Sequence, residues 1–289
     1  MSSMVLPDFI TGEWCEALSG GQRLVTTVDG VNIVWHSWGS SERPALVLLH
    51  GGSGSWLHWV RNIAALRGAG WRVLVPDLPG FGDSDLPPGC QDVDALPPYL
   101  HGGLEQLTPV GPVQFVGFSF GGMTAGLWLQ AYPQDAKALV LVGAPGMGLQ
   151  TAVRTPLRGW RHLPTPEAQA LIHKHNLLAL MFAHEASLDD LALALHTANV
   201  HRDRMPRRRL SSTDILARAL PDLEVPVSAI YGEHDALYRE RLPEVQGAMQ
   251  MLSRQWNRWV TVPGAGHWVQ YEAAQAFNDA LLQVLEDQA

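Results

Sequence analysis

A single serine between glycines near the middle of the chain constrains its fold most strongly. Ser119 lies in the sequence Val-Gly-Phe-Ser-Phe-Gly-Gly, after an apolar, β-branched run at residues 112–116 and before a helix-like run at residues 123–130. The first run is typical of a buried strand. A Gly-x-Ser-x-Gly sequence at a strand-to-helix junction predicts a nucleophile elbow, a turn so tight that Gly117 and Gly121 must lack a Cβ. Such a turn raises the serine hydroxyl above the end of a sheet.

Strand-like runs alternate with helical runs through most of the chain. This alternation predicts an α/β fold with a doubly wound, mostly parallel, eight-stranded sheet that helices cover on both faces. Asp29-Gly30, between the first two runs, predicts a β-hairpin. The predicted strands are residues 23–28, 31–37, 45–49, 71–75, 112–116, 138–142, 225–231 and 259–262. Helices are predicted at residues 56–66, 100–107 and 269–285.

The alternation stops between residues 147 and 212, where no strand is apparent. Thr165, which precedes a proline, and Ser187, which precedes Leu-Asp-Asp, both predict the start of a helix. We therefore expect a helical cap subdomain at residues 147–212. It would be inserted into a core formed by residues 1–146 and 213–289.

Charge and composition exclude several classes of protein. The 289-residue chain has a net charge of −8, which argues against a nucleic-acid partner. Cys15 and Cys90 give no disulfide framework, so we expect free thiols in a reducing compartment, the cytoplasm. Neither a secretory leader nor an apolar run long enough for a bilayer is apparent, so we expect no membrane partner. The sequence indicates no metal and no cofactor, and leaves a homodimer possible.

Two further loops carry the residue types that a serine nucleophile needs. Asp235 and His267 each follow a predicted strand, and loops beyond the carboxyl ends of parallel strands meet at one edge of the sheet. The chain order Ser119, Asp235, His267 is typical of a catalytic triad on such a sheet. His267 would act as the base, and Asp235 would fix the tautomer of its imidazole. Glu233 is an alternative acid, and we expect His234 at the surface.

A glycine-rich sequence, His-Gly-Gly-Ser-Gly-Ser at residues 50–55, is a candidate oxyanion-binding loop. Preorganised backbone N–H groups stabilise a developing oxyanion well. We expect the N–H groups of Gly52 and Phe120 to form this oxyanion hole. His50 and Asp77 are expected to hold their own loops in place. A nucleotide-binding loop is not indicated, because neither Gly-Lys-Ser/Thr nor Gly-x-Gly-x-x-Gly is present.

Together these motifs resemble the α/β-hydrolase superfamily over residues 23–285. The resemblance implies the α/β-hydrolase fold with an inserted cap. The sequence Gly-His-Trp-Val-Gln-Tyr-Glu at residues 266–272 and the sequence Gly-Met-Gly-Leu that begins at Gly146 are similar to serine hydrolases that cleave meta-cleavage products of aromatic degradation. That resemblance implies that Trp268 and Arg202 bind substrate.

Other positions resemble a different branch of the superfamily. Gly-Phe-Ser-x-Gly-Gly is similar to aryl esterases and cofactor-free perhydrolases, whereas the meta-cleavage group usually has asparagine in place of Phe118. That group also usually has a proline-containing loop where this chain has Ser53 and the residues after it. Phe118 and Ser53 are therefore further candidate substrate-binding residues. A serine at position 119 excludes dehalogenase and epoxide-hydrolase chemistry, which needs an aspartate nucleophile.

We therefore expect a serine hydrolase that cleaves a small-molecule carboxylic ester or lactone through an acyl-enzyme. Carbon–carbon bond hydrolysis of a meta-cleavage dienoate is the alternative. A small-molecule receptor with the same fold and negligible turnover is an alternative of another class. The arginines clustered around Arg202 predict an anionic or strongly polar group on the substrate, with Arg204 and Arg207 as alternative ligands. The alternative is that the cluster is a solvated, arginine-rich end of a helix.

Overall fold

A central sheet organises the described residues, which are 2–107, 112–149 and 155–288 of a computed structural model. All eight predicted strands are present with small shifts at their ends, and a two-residue strand, β1, extends one edge. The strands are β1 (Ser2–Ser3), β2 (Gln22–Val28), β3 (Val31–Trp38), β4 (Ala45–Leu49), β5 (Arg72–Pro76), β6 (Val113–Phe118), β7 (Ala136–Val142), β8 (Val227–Gly232) and β9 (Trp256–Val262). Their order across the sheet is β1-β2-β3-β5-β4-β6-β7-β8-β9. Strands β4 to β9 are parallel, and β1 to β3 pair antiparallel at one side.

The parallel strands separate two apolar cores. Along β4, Val47 and Leu49 pack into one core, and Leu46 and Leu48 pack into the other. All four side chains are buried. Successive side chains of a strand point to opposite faces, so a strand that is apolar at every position must be covered on both sides. The predicted doubly wound architecture is confirmed.

Helices cover the sheet and fill the connection between β7 and β8. They are α1 (Glu13–Ala17), α2 (Ile63–Gly68), α3 (Pro97–Leu107), α4 (Phe120–Ala131), α5 (Pro166–Leu180), α6 (Asp190–His201), α7 (Ile215–Ala219), α8 (Leu242–Leu252), α9 (Val269–Glu272) and α10 (Ala274–Glu286). None of the helices in the described ranges has the length and apolarity needed to cross a bilayer.

Two predicted helices are interrupted, and long-range hydrogen bonds account for the breaks. Residues 56–66 form a 3₁₀ turn followed by α2. At the junction, the side-chain amide of Asn62 donates to the Gln270 carbonyl and to the side chain of Asn278, which lie on the last two helices of the chain. Residues 269–285 form α9 and α10. The break between them follows Glu272, whose carboxylate accepts backbone N–H groups from two other loops.

The connection between β7 and β8 contains α5, α6, α7 and 3₁₀ turns, and its described residues form no strand. Thr165 caps α5 as predicted, since its hydroxyl accepts the N–H of Ala168 at 3.2 Å. The cap of α6 is Asp189, two residues after the predicted Ser187, and its carboxylate accepts the N–H of Ala192. The division into a core and a separate cap subdomain stays a prediction.

Gly232, the last residue of β8, brings two loops close together. A Cβ built at this position would lie 2.1 Å from the carbonyl oxygen of Gly266 and 2.4 Å from that of Ala265. Both contacts are with backbone, which cannot rotate away as a long side chain would. The loop after β8, which carries Asp235, can therefore pack against the loop after β9, which carries His267, only if residue 232 is glycine.

We predict that Gly232→Ala destabilises the protein by about 1–3 kcal/mol, the usual cost of overpacking a tight site. Gly247→Ala is the matched control, because it lies within α8 and a Cβ there meets nothing within 4 Å. That control should be neutral or more stable by up to about 1 kcal/mol, since alanine favours helix over glycine. Urea denaturation measures both changes. Equal free energies of unfolding for Gly232→Ala and wild type would contradict the close-approach argument.

Candidate active site

The structure brings the three predicted triad residues together at the carboxyl edge of the sheet. The Nε2 atom of His267 lies 3.0 Å from Oγ of Ser119, and its Nδ1 atom lies 2.8 Å from Oδ2 of Asp235. Asp235 and His267 are buried, whereas Ser119 is partly exposed to a cavity. Both distances are within hydrogen-bonding range. The arrangement can pass a proton from a hydroxyl to an imidazole whose orientation a carboxylate fixes.

Ser119 occupies the predicted strained turn between β6 and α4. Its φ angle is 51°, a left-handed conformation that non-glycine residues rarely adopt. A Cβ at Gly117 would lie 2.5 Å from the Gly121 carbonyl oxygen, and a Cβ at Gly121 would lie 2.4 Å from that of Leu49. The turn therefore closes on itself only if residue 117 is glycine, and it fits against the end of β4 only if residue 121 is glycine. Strain of this kind is held where surrounding packing determines the backbone, and it often accompanies function.

Asp235, rather than Glu233, reaches the histidine. Its second oxygen, Oδ1, accepts the N–H of Leu237 at 2.8 Å, so the carboxylate is held from both sides. The Glu233 side chain is exposed, and its Oε2 atom accepts the N–H of Gly264 at 2.8 Å, which ties the two loops together away from the imidazole. His234 is exposed, as the sequence predicted.

The two predicted oxyanion donors lie side by side. A Cβ on Gly52 would be 3.7 Å from Cβ of Phe120, and both residues line the cavity that contains Ser119 and His267. Within the described part of the chain, neither N–H donates to a protein acceptor. Two unused N–H groups next to a nucleophile can receive the oxygen of a tetrahedral intermediate.

Buried neutral histidines hold the oxyanion loop. His50 donates from Nδ1 to the Gly51 carbonyl at 2.8 Å and accepts the Leu78 N–H on Nε2 at 2.9 Å. Nδ1 of His58 accepts the Gly51 N–H at 3.2 Å. Burial lowers the pKa of His50 to about 4 and lowers the pKa of His58 well below its ordinary value. Both rings can therefore accept hydrogen bonds at neutral pH. The sequence predicted the role of His50 but gave no signal for His58.

Asp77 holds the neighbouring loop, as predicted. Its Oδ1 atom accepts the Trp56 N–H at 2.9 Å, and its Oδ2 atom accepts the Asp83 N–H at 2.8 Å. Although burial by itself would raise the pKa of Asp77, the imidazole of His36, 3.6 Å away, and the backbone N–H groups that the carboxylate accepts hold that pKa below its usual value. This carboxylate lies away from His267 and takes no part in the triad contacts.

The catalytic edge opens into a cavity of about 470 Å³. Apart from the residues already described, its wall is largely apolar and comes from the loops after β7 and β8 and from α5. These apolar residues include Pro145, Leu157, Ala179, Leu180, Met181 and Leu237. A second cavity of about 630 Å³ adjoins it at Gly52 and Ser53 and extends to Trp160. The two cavities share part of their walls and together offer room for a small-molecule substrate beside Ser119.

Only one of the four predicted substrate-binding residues lines the cavity, namely Ser53. Phe118 is buried behind the triad, with its ring centroid 5.1 Å from that of His267. Trp268 is also buried, and its indole N–H donates to the His58 carbonyl at 3.1 Å. Phe118 therefore packs against the imidazole of His267, whereas Trp268 packs against His58 and Tyr271. Neither aromatic side chain lines a cavity.

Arg202 lies outside both cavities, because its guanidinium binds the carboxylate of Asp83. Arg204, an alternative in the sequence analysis, binds backbone carbonyls, and Arg207 is exposed. Among the described arginines, Arg208 is the one that lines the cavity beside Ser119. The sequence indicated the arginine cluster, but the member that enters the cavity depends on how the chain turns after α6.

A residue of the last helices links the histidine loop to the α5 side of the cavity. Glu272 accepts the N–H of Gly266 at 2.7 Å and the N–H groups of Ala183 and His184 at 3.0–3.1 Å. Glu272 is the last residue of the motif at residues 266–272, but the motif by itself indicated no role for it. Among the described residues, no group of three or more His, Cys, Asp or Glu side chains is arranged to hold a metal ion.

Comparisons with known proteins agree with this architecture. A family model described as alpha/beta hydrolase fold matches residues 44–194, more than half of the chain. A 2-hydroxy-6-oxo-6-phenylhexa-2,4-dienoate hydrolase of Burkholderia cepacia is 27% identical over 258 residues, covering 83% of this chain and 87% of the relative. An esterase of Rhodococcus sp. superposes with a TM-score of 0.75 at 21% identity, over 93% of this chain and 99% of the esterase. A meta-cleavage product hydrolase superposes with a TM-score of 0.73 at 23% identity, over 91% and 98% of the two chains. The chain belongs to the α/β-hydrolase fold family.

Proposed function

We propose that this protein is a serine hydrolase that cleaves a small carboxylic ester or lactone through an acyl-enzyme on Ser119. The observation that carries the proposal is the chain of hydrogen bonds from Ser119 through His267 to Asp235. Beside it lie the N–H groups of Gly52 and Phe120, which donate to no acceptor among the described residues. A nucleophile, an oriented base and an oxyanion site within reach of one another are the parts that acyl transfer requires.

The reaction follows from these positions. Nε2 of His267 takes the proton of Ser119 as its Oγ attacks the substrate carbonyl, while Asp235 holds the Nδ1–H and stabilises the imidazolium. The N–H groups of Gly52 and Phe120 bind the negative oxygen of the tetrahedral intermediate. His267 returns its proton to the leaving alcohol. Water then attacks the acyl-enzyme with His267 as the base, which releases the acid and restores the serine.

The contacts of Arg208 favour a neutral ester over an acid-bearing substrate in the catalytic cavity. Its Nη1 atom donates to Asp203 at 2.8 Å and to the Met205 carbonyl at 2.5 Å, and its Nη2 atom donates to Asp203 at 3.0 Å and to Ser53 at 3.1 Å. Each of these nitrogens carries two hydrogens, so the protein itself uses four of the five guanidinium donors. Asp203 already occupies the Nη1–Nη2 edge, and the Nε–Nη2 edge could grip a substrate carboxylate only if Ser53 gave up its bond to Nη2.

The second candidate is carbon–carbon bond hydrolysis of an acidic dienone, which the printed activity of the Burkholderia cepacia relative favours. In this chain the substrate carboxylate would have to lie in the second cavity, where Arg158 and Arg161 have no carboxylate within 4 Å among the described residues. Assays of p-nitrophenyl butyrate, a lactone and a meta-cleavage dienoate compare the two candidates. The proposal expects the highest kcat/KM for the ester or lactone, and turnover of the dienoate alone would replace it with the second candidate.

We predict that Ser119→Ala lowers kcat by about 10⁴–10⁶-fold, because the nucleophile and its base act as a unit. Adding His267→Ala should cause little further loss for the same reason. Circular dichroism should show an intact fold. A fluorophosphonate probe should label wild type and leave Ser119→Ala unlabelled. If wild type resists the probe, a receptor without turnover becomes the better interpretation, and retention of a tenth of the activity in Ser119→Ala would refute the assignment of the nucleophile.

The two acidic residues of the loop after β8 give a matched pair of variants. Asp235→Asn should lower kcat by roughly 10⁴-fold, since an amide stabilises the wrong tautomer and cannot balance the imidazolium. Glu233→Gln should leave kcat near the wild-type value, because the Glu233 side chain is exposed and bonds Gly264 rather than His267. Steady-state kinetics on one ester suffices. The opposite ranking would assign the acid to Glu233.

A further inference from the structure

The loop that carries the Gly52 N–H has an unfavourable backbone conformation immediately after the donor. Ser53 has a φ angle of 51°, in the left-handed region where a side chain costs energy, although glycines lie on both sides of it in the sequence. Such a conformation persists only where surrounding contacts determine it. The contacts that hold Ser53 therefore also determine the direction of the Gly52 N–H.

Those contacts come from the segment that follows α6. The Ser53 hydroxyl donates to Oδ2 of Asp203 at 2.6 Å and accepts from Nη2 of Arg208 at 3.1 Å. Asp203 and Arg208 bind each other through two parallel hydrogen bonds at 2.8 and 3.0 Å. The serine hydroxyl thus has both a donor and an acceptor partner, and its rotation is fixed.

Arg208 also contacts the other half of the oxyanion site. Its guanidinium lies over the ring of Phe120, 5.4 Å from the centroid, and over the ring of Phe81 at 4.8 Å. Its Nη2 atom would be 3.4 Å from a Cβ on Gly52. One planar group therefore contacts both residues whose N–H groups are the candidate oxyanion donors.

The charges of this pair are mutually satisfied. The side chains of Asp203 and Arg208 are only 6% and 17% exposed. Burial alone would raise the pKa of Asp203, but its hydrogen bonds with Arg208 and Ser53 and the charge of Arg208 hold that pKa below its ordinary value. An ion pair with good bidentate geometry in a partly buried position is strongly oriented. The pair can therefore hold the Ser53 hydroxyl in one orientation.

A second contact joins the same loop to α6. The hydroxyl of Ser55 donates to Oδ1 of Asn199 at 2.7 Å, and both side chains are buried. The residues on either side of Gly54 are therefore each held by a side chain from the connection between β7 and β8.

We propose that Asp203 and Arg208 are positioning residues for the reaction, which hold the oxyanion loop through Ser53 so that the Gly52 N–H faces the carbonyl carbon attacked by Ser119. The proposal rests on the proposed acyl transfer and extends it, because it gives the segment after α6 a role in stabilising the transition state. It also assigns Arg208 to the protein's own loop and not to a substrate carboxylate.

Kinetics on a neutral ester tests this role. Asp203→Asn, Arg208→Gln and Ser53→Ala should each lower kcat for p-nitrophenyl butyrate by about tenfold to a hundredfold, because small displacements of an oxyanion donor cost rate and not ground-state affinity. KM should change by less than about threefold. The second-order rate of inactivation by a fluorophosphonate should fall in parallel, since the phosphoryl oxygen occupies the same site. Arg208→Lys should lose nearly as much as Arg208→Gln, because an ammonium cannot form the two parallel bonds.

The double variant Ser53→Ala with Arg208→Gln separates positioning from independent effects. If the pair acts through Ser53, kcat of the double variant should be no more than about twofold lower than kcat of the less active single variant. Arg218→Gln is the control, because it removes an exposed pair between Arg218 and Asp214 at 3.2 Å, and neither residue lines either cavity. It should leave kcat and KM unchanged.

Each other outcome has a distinct meaning. A rise in KM at constant kcat in Arg208→Gln would show that Arg208 binds substrate, and additive losses in the double variant would show that the two residues act separately. A lower melting temperature at unchanged kcat in Asp203→Asn and Arg208→Gln would show that the pair stabilises the fold and does not position the oxyanion donor. Any of these results overturns the proposal. Wild type that neither hydrolyses esters nor reacts with the fluorophosphonate would instead refute the proposed function, and the loop proposal with it.

Discussion

The left-handed backbone of Ser119 is the constraint on which the rest of the site depends. A φ angle of 51° at a serine turns the chain from β6 into α4 within one residue, and this turn directs the hydroxyl out of the sheet. The turn exists because Gly117 and Gly121 allow backbone contacts that a Cβ would prevent. From that fixed point, the ends of β8 and β9 bring Asp235 and His267 to the serine. Gly232, at the end of β8, likewise allows a close backbone contact, between the loop that carries Asp235 and the loop that carries His267.

The connection between β7 and β8 does more than cover the cavity. It contacts the oxyanion loop through Asp203, Arg208 and Asn199, and it contacts the histidine loop through Glu272. Each contact ends on a loop that carries part of the proposed machinery. Because these are hydrogen bonds to backbone or to short side chains, small shifts of α5 or α6 would move the oxyanion donor and the base. The segment that shapes the cavity is therefore physically coupled to the groups that would perform the reaction.

Much of this architecture could be predicted from the sequence, for local reasons. Most of the buried parallel strands are largely apolar runs, and Asp29-Gly30 marks the antiparallel hairpin of β2 and β3, so these strands could be predicted locally. A triad whose members each follow a strand could then be placed by chain order. Glycines at tight turns are equally local signals. The positions of Ser119, Asp235 and His267 followed from these patterns without tertiary information.

The remaining features depend on long-range contacts that no local pattern encodes. The helix expected at residues 56–66 breaks where Asn62 bonds the last helices, more than 200 residues away in the chain. Arg202 and Arg208 have the same chemistry and lie in the same cluster. The choice between them depends on which carboxylate each one meets, Asp83 for Arg202 and Asp203 for Arg208. Trp268 follows the histidine in sequence, yet its side chain is buried away from the cavity, where its indole N–H donates to the carbonyl of His58.

Trapping of the covalent intermediate tests the central claim most directly. Wild type mixed with p-nitrophenyl butyrate and quenched within its first turnovers should gain the mass of one butyryl group, and peptide mapping should locate that group on Ser119. The account predicts this adduct, because attack by the serine precedes attack by water. Turnover of the ester with no acyl group on Ser119, or with the acyl group on another residue, would contradict it.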